Sequence, residues 1–318
     1  THCVHANVED AMKQVMEDMQ TNKEVLHDIY GLPFIFFERP EWDKFAGAYR
    51  TFASDVLNPD GKVIQQPSTH IISPSFAKAF NINYKDKDGK EKQAFTTCYG
   101  PAISRIFASV VIVHGDDKGL KFPWEIAPVQ VMIVPIDEKN KEIMKKAESI
   151  KKQLEDFDVE IDFTEKRAGE KFNHWEMKGV PIRIDLGLND IKKKKITIFR
   201  RDIDKKEIIS EKDLVKKVTQ ISKEFTKNLI KKADEIFQGR IKKVGDLKDA
   251  KKAIESGLIA KCEFCSSEKD GTDCAEKIKR QTEAEVRGTR LDEKEKPNGK
   301  CIVCGRKAKA IVYIARAY

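Results

Sequence analysis

The sequence lacks any apolar run near the roughly 20 residues that a helix needs to cross a bilayer. Its longest candidate, "IFASVVIVHG" at 106–115, is too short for that and reads as a buried strand or helix. No basic-then-apolar targeting stretch is visible, so the cytoplasm is the expected location. There is no internal repeat at solenoid spacing. The cysteines are not spread as a disulfide framework would spread them, because five of the seven fall between Cys262 and Cys304. Nor is there an initiator Met. The chain opens on "THCVHANVED", with a His-x2-His pair in its first five residues, which predicts a cut edge.

What is present fits a globular chain. Its 318 residues suggest two or three domains, each large enough to bury a core. Hydrophobic residues make up 40% and charged residues 35%. The 60 Lys and Arg exceed the 52 Asp and Glu by a net charge of +8, which favours a polyanionic partner.

Residues 8–30 carry a helical pattern, with Ala11, Val15, Met19, Val25 and Ile29 on one side. "GLPFIFFERPEW" reads as a strand. Turns at Pro59-Asp60-Gly61 and around Gly89, each between apolar runs, imply antiparallel sheet. The style changes near Pro128. "VQVMIVPI", "VEIDF", "VPIRIDLG" and "KKITIFRR" read as strands, alternating with a helix that carries Ile143, Ala147, Ile150, Leu154 and Phe157. That alternation predicts a small α/β domain. A long helix is expected over 210–238, with Ser210 and Asp213 as its N-terminal cap. The expected domains are 1–125, 126–230 and 231–318.

The cysteines carry the clearest chemistry. "KCEFCSSEKDGTDC" and "GKCIVCGR" contain two Cys-x2-Cys pairs, Cys262/Cys265 and Cys301/Cys304, spaced to grip one tetrahedral Zn2+. Gly305 helps the backbone turn around it. Cys274 is a fifth candidate and leaves the ligand set open. Four thiolates predict a closed, structural site. A second signal is "TTCYGPAISRIF". Arg105 stands alone at the start of an apolar, helix-like run and needs an anion, either a phosphate or a buried carboxylate. His70 and His114 read as lone histidines at strand ends, usually structural. The lysine run 192–195 reads as a solvated turn, made interesting only by Arg200 and Arg201 nearby.

In this order, "RPEWDKFAGA", "TTCYGPAISR", "HGDDKGL", "KRAGEKFNHWEMKGVPIRIDLGLNDI" and "GKCIVCGRKAKAIVYIARAY" resemble the class II prolyl-tRNA synthetases of archaeal and eukaryotic-cytoplasmic type, over nearly the whole chain. The resemblance implies an α+β fold: the class II antiparallel sheet with helices, then an α/β anticodon-binding domain and a small zinc-binding α+β C-terminal domain. It implies ATP-dependent activation of L-proline to prolyl-adenylate and transfer to tRNA(Pro), with Mg2+ and a structural Zn2+, in a homodimer. Arg105 matches the third-motif arginine that contacts ATP, and Gln65 matches a nucleotide-contacting position. His70 matches a histidine beside the proline pocket, with Ser68 in place of the family's Thr. His2 matches the histidine that follows the second motif, also near proline, and Cys98 and Gly100 lie on the strand leading to Arg105. Glu165, Arg167, Lys171, Glu176 and Arg183 are the implied anticodon contacts. For zinc, the resemblance favours Cys265, Cys274, Cys301 and Cys304, whereas bare spacing favours Cys262 over Cys274.

The chain departs from the family at Tyr49, at positions 72–76 and in a third motif longer by one residue. The resemblance also places the opening stretch just after the second motif, so the first motif and the second motif's arginine are expected upstream. Competing readings are a non-catalytic tRNA-binding protein built on the same domains and a zinc-stabilised interaction module.

Overall fold

The computed structural model describes residues 1–318, and its elements fall into two units. The first comprises residues 1–27, 32–109 and 234–318 and is built on one nine-stranded sheet. In spatial order the strands are His2–His5, Phe95–Gly100, Lys62–Ile72, Ala48–Leu57, Ile35–Glu38, Glu285–Arg290, Ala310–Ala317, Ile259–Phe264 and Ile241–Lys243. Most pairings are antiparallel, and the expected turn at Pro59-Asp60-Gly61 joins two of these strands; the pairings of Ile241–Lys243 with Ile259–Phe264 and of Ala310–Ala317 with Lys62–Ile72 are parallel. The expected turn at Gly89 joins Asn83–Lys85 to Glu91–Gln93 in a separate two-stranded sheet.

Residues 234–318 therefore share a sheet with residues 1–109. The junction is the pairing of Glu285–Arg290 with Ile35–Glu38. Gly288 makes it possible: its φ of 132° lies in the region that favours glycine, and a Cβ there would sit 2.1 Å from the Glu38 carbonyl oxygen. A β-bulge accompanies it, between Val286 and Gly288.

Helix Val8–Asn22 covers the other end of the sheet. Asn7 caps it by accepting from Asp10 N at 2.8 Å. Ala11 and Val15 pack on Phe36, Phe52 and Ile71. The expected stripe fails beyond Asn22. There the helix widens to i→i+5 turns over Lys23–Ile29, which moves the phase, so Leu26 is buried and Ile29 is 38% exposed.

The second unit comprises residues 28–31 and 110–233. Its five-stranded sheet runs Lys205–Ser210, Lys195–Arg200, Ile182–Leu186, Val131–Pro135, Val159–Ile161. The last three are mutually parallel, as the alternation of strand and helix predicts, and the first two form an antiparallel hairpin at the edge. All five residues of Val131–Pro135 are buried, which is why that stretch reads as an unbroken apolar run. Val131 and Ile133 face helix Lys141–Gln153 through Ile143, Ala147 and Ile150, and Met132 and Val134 face Phe172 and Trp175 of helix Ala168–Met177. The long helix starts later than expected. A short turn at Glu211–Asp213 precedes Leu214–Gly239, and Ser210 makes no side-chain cap bond.

"IFASVVIVHG" lies mostly in helix Ile103–His114. His114 ends that helix rather than a strand, and its Nε2 donates to the Tyr30 carbonyl at 2.8 Å. Burial holds its pKa below the ordinary value. His70 lies inside a strand, not at its end. No helix is long and apolar enough to cross a membrane.

Candidate active site and metal centre

Register builds the first site. His2 pairs with Cys98, Cys98 with His70, and His70 with Thr51, so these four residues form one row across four adjacent strands. Ser68 pairs with Gly100 one step along. Gln65 lies three residues before Ser68, an odd spacing that would place it on the opposite face of a regular strand. A bulge prevents this: Ser68 pairs with Ala53 and Gln65 with Asp55, so Gln66 and Pro67 together oppose Ser54. Gln65 and His70 thereby line the same cleft, of about 630 Å³, with Arg105.

Arg105 is exposed at the start of helix Ile103–His114 and donates to the Gln65 carbonyl at 3.1 Å. No carboxylate pairs with it, so the buried carboxylate partner allowed by the sequence is absent. His70 is held on three sides. Its Nδ1 lies 3.0 Å from Thr51 Oγ1, its Nε2 lies 3.2 Å from Ser68 Oγ, and the Phe45 ring packs at 5.1 Å. Thr51 Oγ1 also accepts from Phe45 N at 3.0 Å. Both ring nitrogens of His70 thus have a hydroxyl partner in either tautomer, since a hydroxyl can donate or accept. Burial lowers the His70 pKa, so the ring is neutral at pH 7. At the outer end of the row, His2 Nε2 lies 3.8 Å from Cys98 Sγ.

No local pattern in the sequence signals the charge network beneath this cleft. Arg39 grips Asp55 in a fork at 2.5 and 3.1 Å, and Arg287 reaches the same carboxylate at 2.8 Å. Asp55 is buried, which by itself raises its pKa, but the two guanidiniums more than offset this and hold it below the usual range. Arg39 also donates to Gln65 Oε1 at 3.1 Å, which leaves the Gln65 amide donors for a ligand. Arg39 and Arg287 are 16 and 232 positions from Asp55. Only the loop at 40–47 and the closing of the sheet at Gly288 bring the three together.

The second site is the cysteine cluster. The Sγ atoms of Cys265, Cys274, Cys301 and Cys304 lie within 4.8 Å of one another. Cys265 follows strand Ile259–Phe264, and Cys274 lies in the first turn of helix Thr272–Thr282. Cys301 and Cys304 flank a tight turn in which Gly305 N donates to the Cys301 carbonyl at 3.0 Å, with Gly305 at φ 72°. Cys262 is outside the cluster, contrary to the spacing argument. That argument needs a turn between Cys262 and Cys265, but residues 259–264 are extended, and an extended chain separates positions i and i+3 by about 10 Å. Cys262 instead packs in the core against Val312 and Ile278. A hydrogen bond from Arg306, whose Nε lies 3.3 Å from Sγ, brings the Cys304 thiol down to about 6. Burial pushes the Cys265 and Cys274 thiols up. Four clustered sulfurs with no disulfide, three of them buried, fit a tetrahedral thiophilic ion, whose charge would hold the buried thiols as thiolates.

The candidate anticodon residues do not form one exposed set. Glu165 is exposed and 3.3 Å from Lys139, and Arg167 is exposed at the N-terminal end of helix Ala168–Met177. Lys171 is 1% exposed and points inward, to Glu138 at 3.2 Å and the Pro135 carbonyl at 3.3 Å. Arg183 is 2% exposed, ion-paired to Glu176 at 2.5 Å and Asp185 at 2.6 Å, and sandwiched between the Phe172 and Phe199 rings. Arg200 and Arg201 are likewise committed inside, to Asp202 and Asp116, and add nothing to the field around the lysine turn 192–195.

Known proteins match both units. A model of the anticodon binding domain matches residues 130–221, and a model of the prolyl-tRNA synthetase C-terminal region matches residues 247–318. A proline–tRNA ligase of Thermofilum pendens is 40% identical over all of this chain and 66% of its own length. One from Methanobrevibacter smithii is 39% identical over all of this chain and 67% of its own length. One from Methanocaldococcus jannaschii is 44% identical over 66% of this chain and 46% of its own length. The chain thus spans about two thirds of the length of the relatives it matches from end to end. The matches to these relatives cover the whole chain, from the strands of the cleft to the cysteine cluster, and on that ground the chain belongs to the prolyl-tRNA synthetase family.

Proposed function

We propose that the cleft of the first unit takes part in ATP-dependent activation of L-proline, and that the five-stranded unit binds tRNA(Pro), the acceptor of the prolyl group. The observation that carries this is the convergence of Gln65, His70 and Arg105 on one cleft, with Arg105 free of any carboxylate. In the activation step a proline carboxylate oxygen attacks the α-phosphorus of ATP, prolyl-adenylate forms and pyrophosphate leaves. Such a reaction asks the protein for positioning and for cations on phosphate rather than for an acid or base. Arg105 would supply a planar fork for a phosphate, and Gln65, held by Arg39, would present amide donors to the nucleotide. The neutral His70, with Ser68, His2, Cys98 and Gly100 along the same row, would wall the proline side. Mg2+ is expected to accompany the nucleotide and neutralise its phosphates.

In the second unit, Glu165 and Arg167 are the exposed candidates for base contacts, with Glu176, Lys171 and Arg183 supporting the surface from within. Zn2+ at Cys265, Cys274, Cys301 and Cys304 would be structural, since all four positions are protein thiols. A cytoplasmic homodimer is the matching assembly.

The test is ATP binding by the chain, followed by proline-dependent exchange of labelled pyrophosphate into ATP. Arg105→Ala is expected to weaken ATP binding at least tenfold while leaving the melting temperature unchanged. If the wild-type chain binds no ATP, or the Arg105→Ala chain binds it as well as wild type, the assignment of this cleft is wrong.

A further inference from the structure

The last third of the five-stranded unit carries charge that the fold does not use. Residues 191–233 hold fifteen Lys and Arg against six Asp and Glu. Five of those six carboxylates are occupied. Asp202 and Glu224 pair with Arg200, Asp204 with Arg201, Glu207 with Lys217, and Glu211 with Lys146. Only Asp213 remains. By contrast, Lys212, Lys216, Lys223, Lys227 and the lysine turn 192–195 are exposed, and none pairs with a carboxylate.

These lysines form a line. At 100° per residue, Lys216, Lys223 and Lys227 fall within about 40° of arc on helix Leu214–Gly239, at rises of about 10 and 6 Å. Lys212 sits one turn earlier, at Glu211–Asp213. The lysine turn adjoins that end, because Lys195 pairs with Ser210 and the Lys194 carbonyl accepts from Glu211 N at 3.1 Å. The opposite face of the helix is core, through Leu214, Val218, Ile221, Phe225 and Leu229. It therefore has no free apolar face to lay into a bilayer, as an interfacial helix would need.

We infer that this lysine ridge holds the sugar–phosphate backbone of an RNA. The inference rests on the tRNA reading proposed above and adds the surface that supplies affinity. Flexible ammonium groups follow a line of phosphates without reading sequence. The ridge also overlaps the segment matched by the anticodon-binding model, residues 130–221.

The experiment compares wild type with the quadruple variant Lys212→Gln, Lys216→Gln, Lys223→Gln, Lys227→Gln and with its Arg counterpart. Binding of tRNA with a proline anticodon, and of the same tRNA with its anticodon changed, is followed by fluorescence anisotropy from 50 to 300 mM KCl. The Gln variant is expected to bind at least tenfold more weakly at 100 mM. Its slope of log K against log salt should be shallower by roughly three, at about 0.7–0.9 for each phosphate left without its lysine. The ratio between the two anticodons should not change, and the Arg variant should bind as wild type does. All three chains should show the same circular dichroism and melting, since the substituted side chains are exposed. An unchanged salt slope in the Gln variant overturns the inference, as does a changed anticodon ratio or tighter binding to phosphatidylserine vesicles than to tRNA. If wild type binds no tRNA at low salt, the tRNA reading itself falls, and the ridge with it.

Discussion

The cleft of the first unit and the five-stranded unit both bury arginines on carboxylates, but they leave different cations open, Arg105 in the cleft and, apart from Arg167, a ridge of lysines in the second unit. In the cleft, two arginines are spent on one buried aspartate, and a third, Arg105, stays open to ligand. In the five-stranded unit, Arg183, Arg200 and Arg201 are all spent inside, and only lysines stay open along the ridge. What separates a binding cation from a structural one is whether the fold provides it with a carboxylate. Burying an ionic pair is tolerated only when its hydrogen bonds are completed. The arginines with planar, completed partners are therefore the ones inside, and those without are left for phosphate.

Three measurements can break or sharpen that contrast. The largest effect is expected from the cysteine cluster, which belongs to the first unit alone. Chelating zinc, or Cys301→Ser, should destabilise the first unit by several kcal/mol, because binding energy at such sites is folding energy. Hydrogen exchange should then accelerate in residues 259–317 and stay unchanged in the sheet of the second unit. Cys274→Ser should lower zinc content and Cys262→Ser should leave it near that of wild type. Equal zinc content in those two variants would overturn the assignment of Cys274.

A smaller effect separates structural from binding arginines. Arg39→Met leaves Asp55 with one partner instead of two, and Arg183→Met strands Glu176 and leaves Asp185 with Lys206 alone. Each should reduce unfolding free energy by about 3 kcal/mol, measured by urea titration. If Arg183→Met instead left stability intact and abolished tRNA binding, Arg183 would be a reader of RNA after all.

The smallest effect is in pH. His70 and His114 both have lowered folded-state pKa values because burial disfavours the charged ring. The unfolded chain therefore binds more protons than the folded one just below the ordinary value of 6.5. Their stabilisation is fully present above that pH and is lost as pH falls through the folded-state values. Melting temperature should drop as pH falls from about 7.5 to about 5.5, and His114→Gln should reduce the drop. An identical drop in that variant would remove His114 from the account.

Much of the fold was legible because the signals are local. The two hairpins follow from Pro59-Asp60-Gly61 and Gly89, and the apolar run at 131–135 reports a strand buried on both faces. Spacing made the cysteines legible as a candidate metal site but not as a ligand set, because Cys-x2-Cys spacing is satisfied by a strand as readily as by a turn; the family resemblance favoured the four that the fold brings together. Arg105 was legible as a lone cation. Its freedom from a carboxylate was not, since a partner can come from anywhere in the chain. Asp55, Arg39 and Arg287 were missed for the same reason. Each is an ordinary charged residue until the sheet closes at Gly288.

The amino-acid pattern alone was enough to set most of the helices and strands, to mark the cysteines as a candidate metal site, and to show which family the motifs resemble. Each of these is read from short stretches, a few residues at a time. The tertiary structure decided which charges are silenced and which remain for a ligand. It carried Gln65 onto the face of His70 through a bulge, and it chose Cys274 over Cys262. Each of those outcomes turns on strand register and on pairing between distant residues, where one step of register reverses the face a side chain presents.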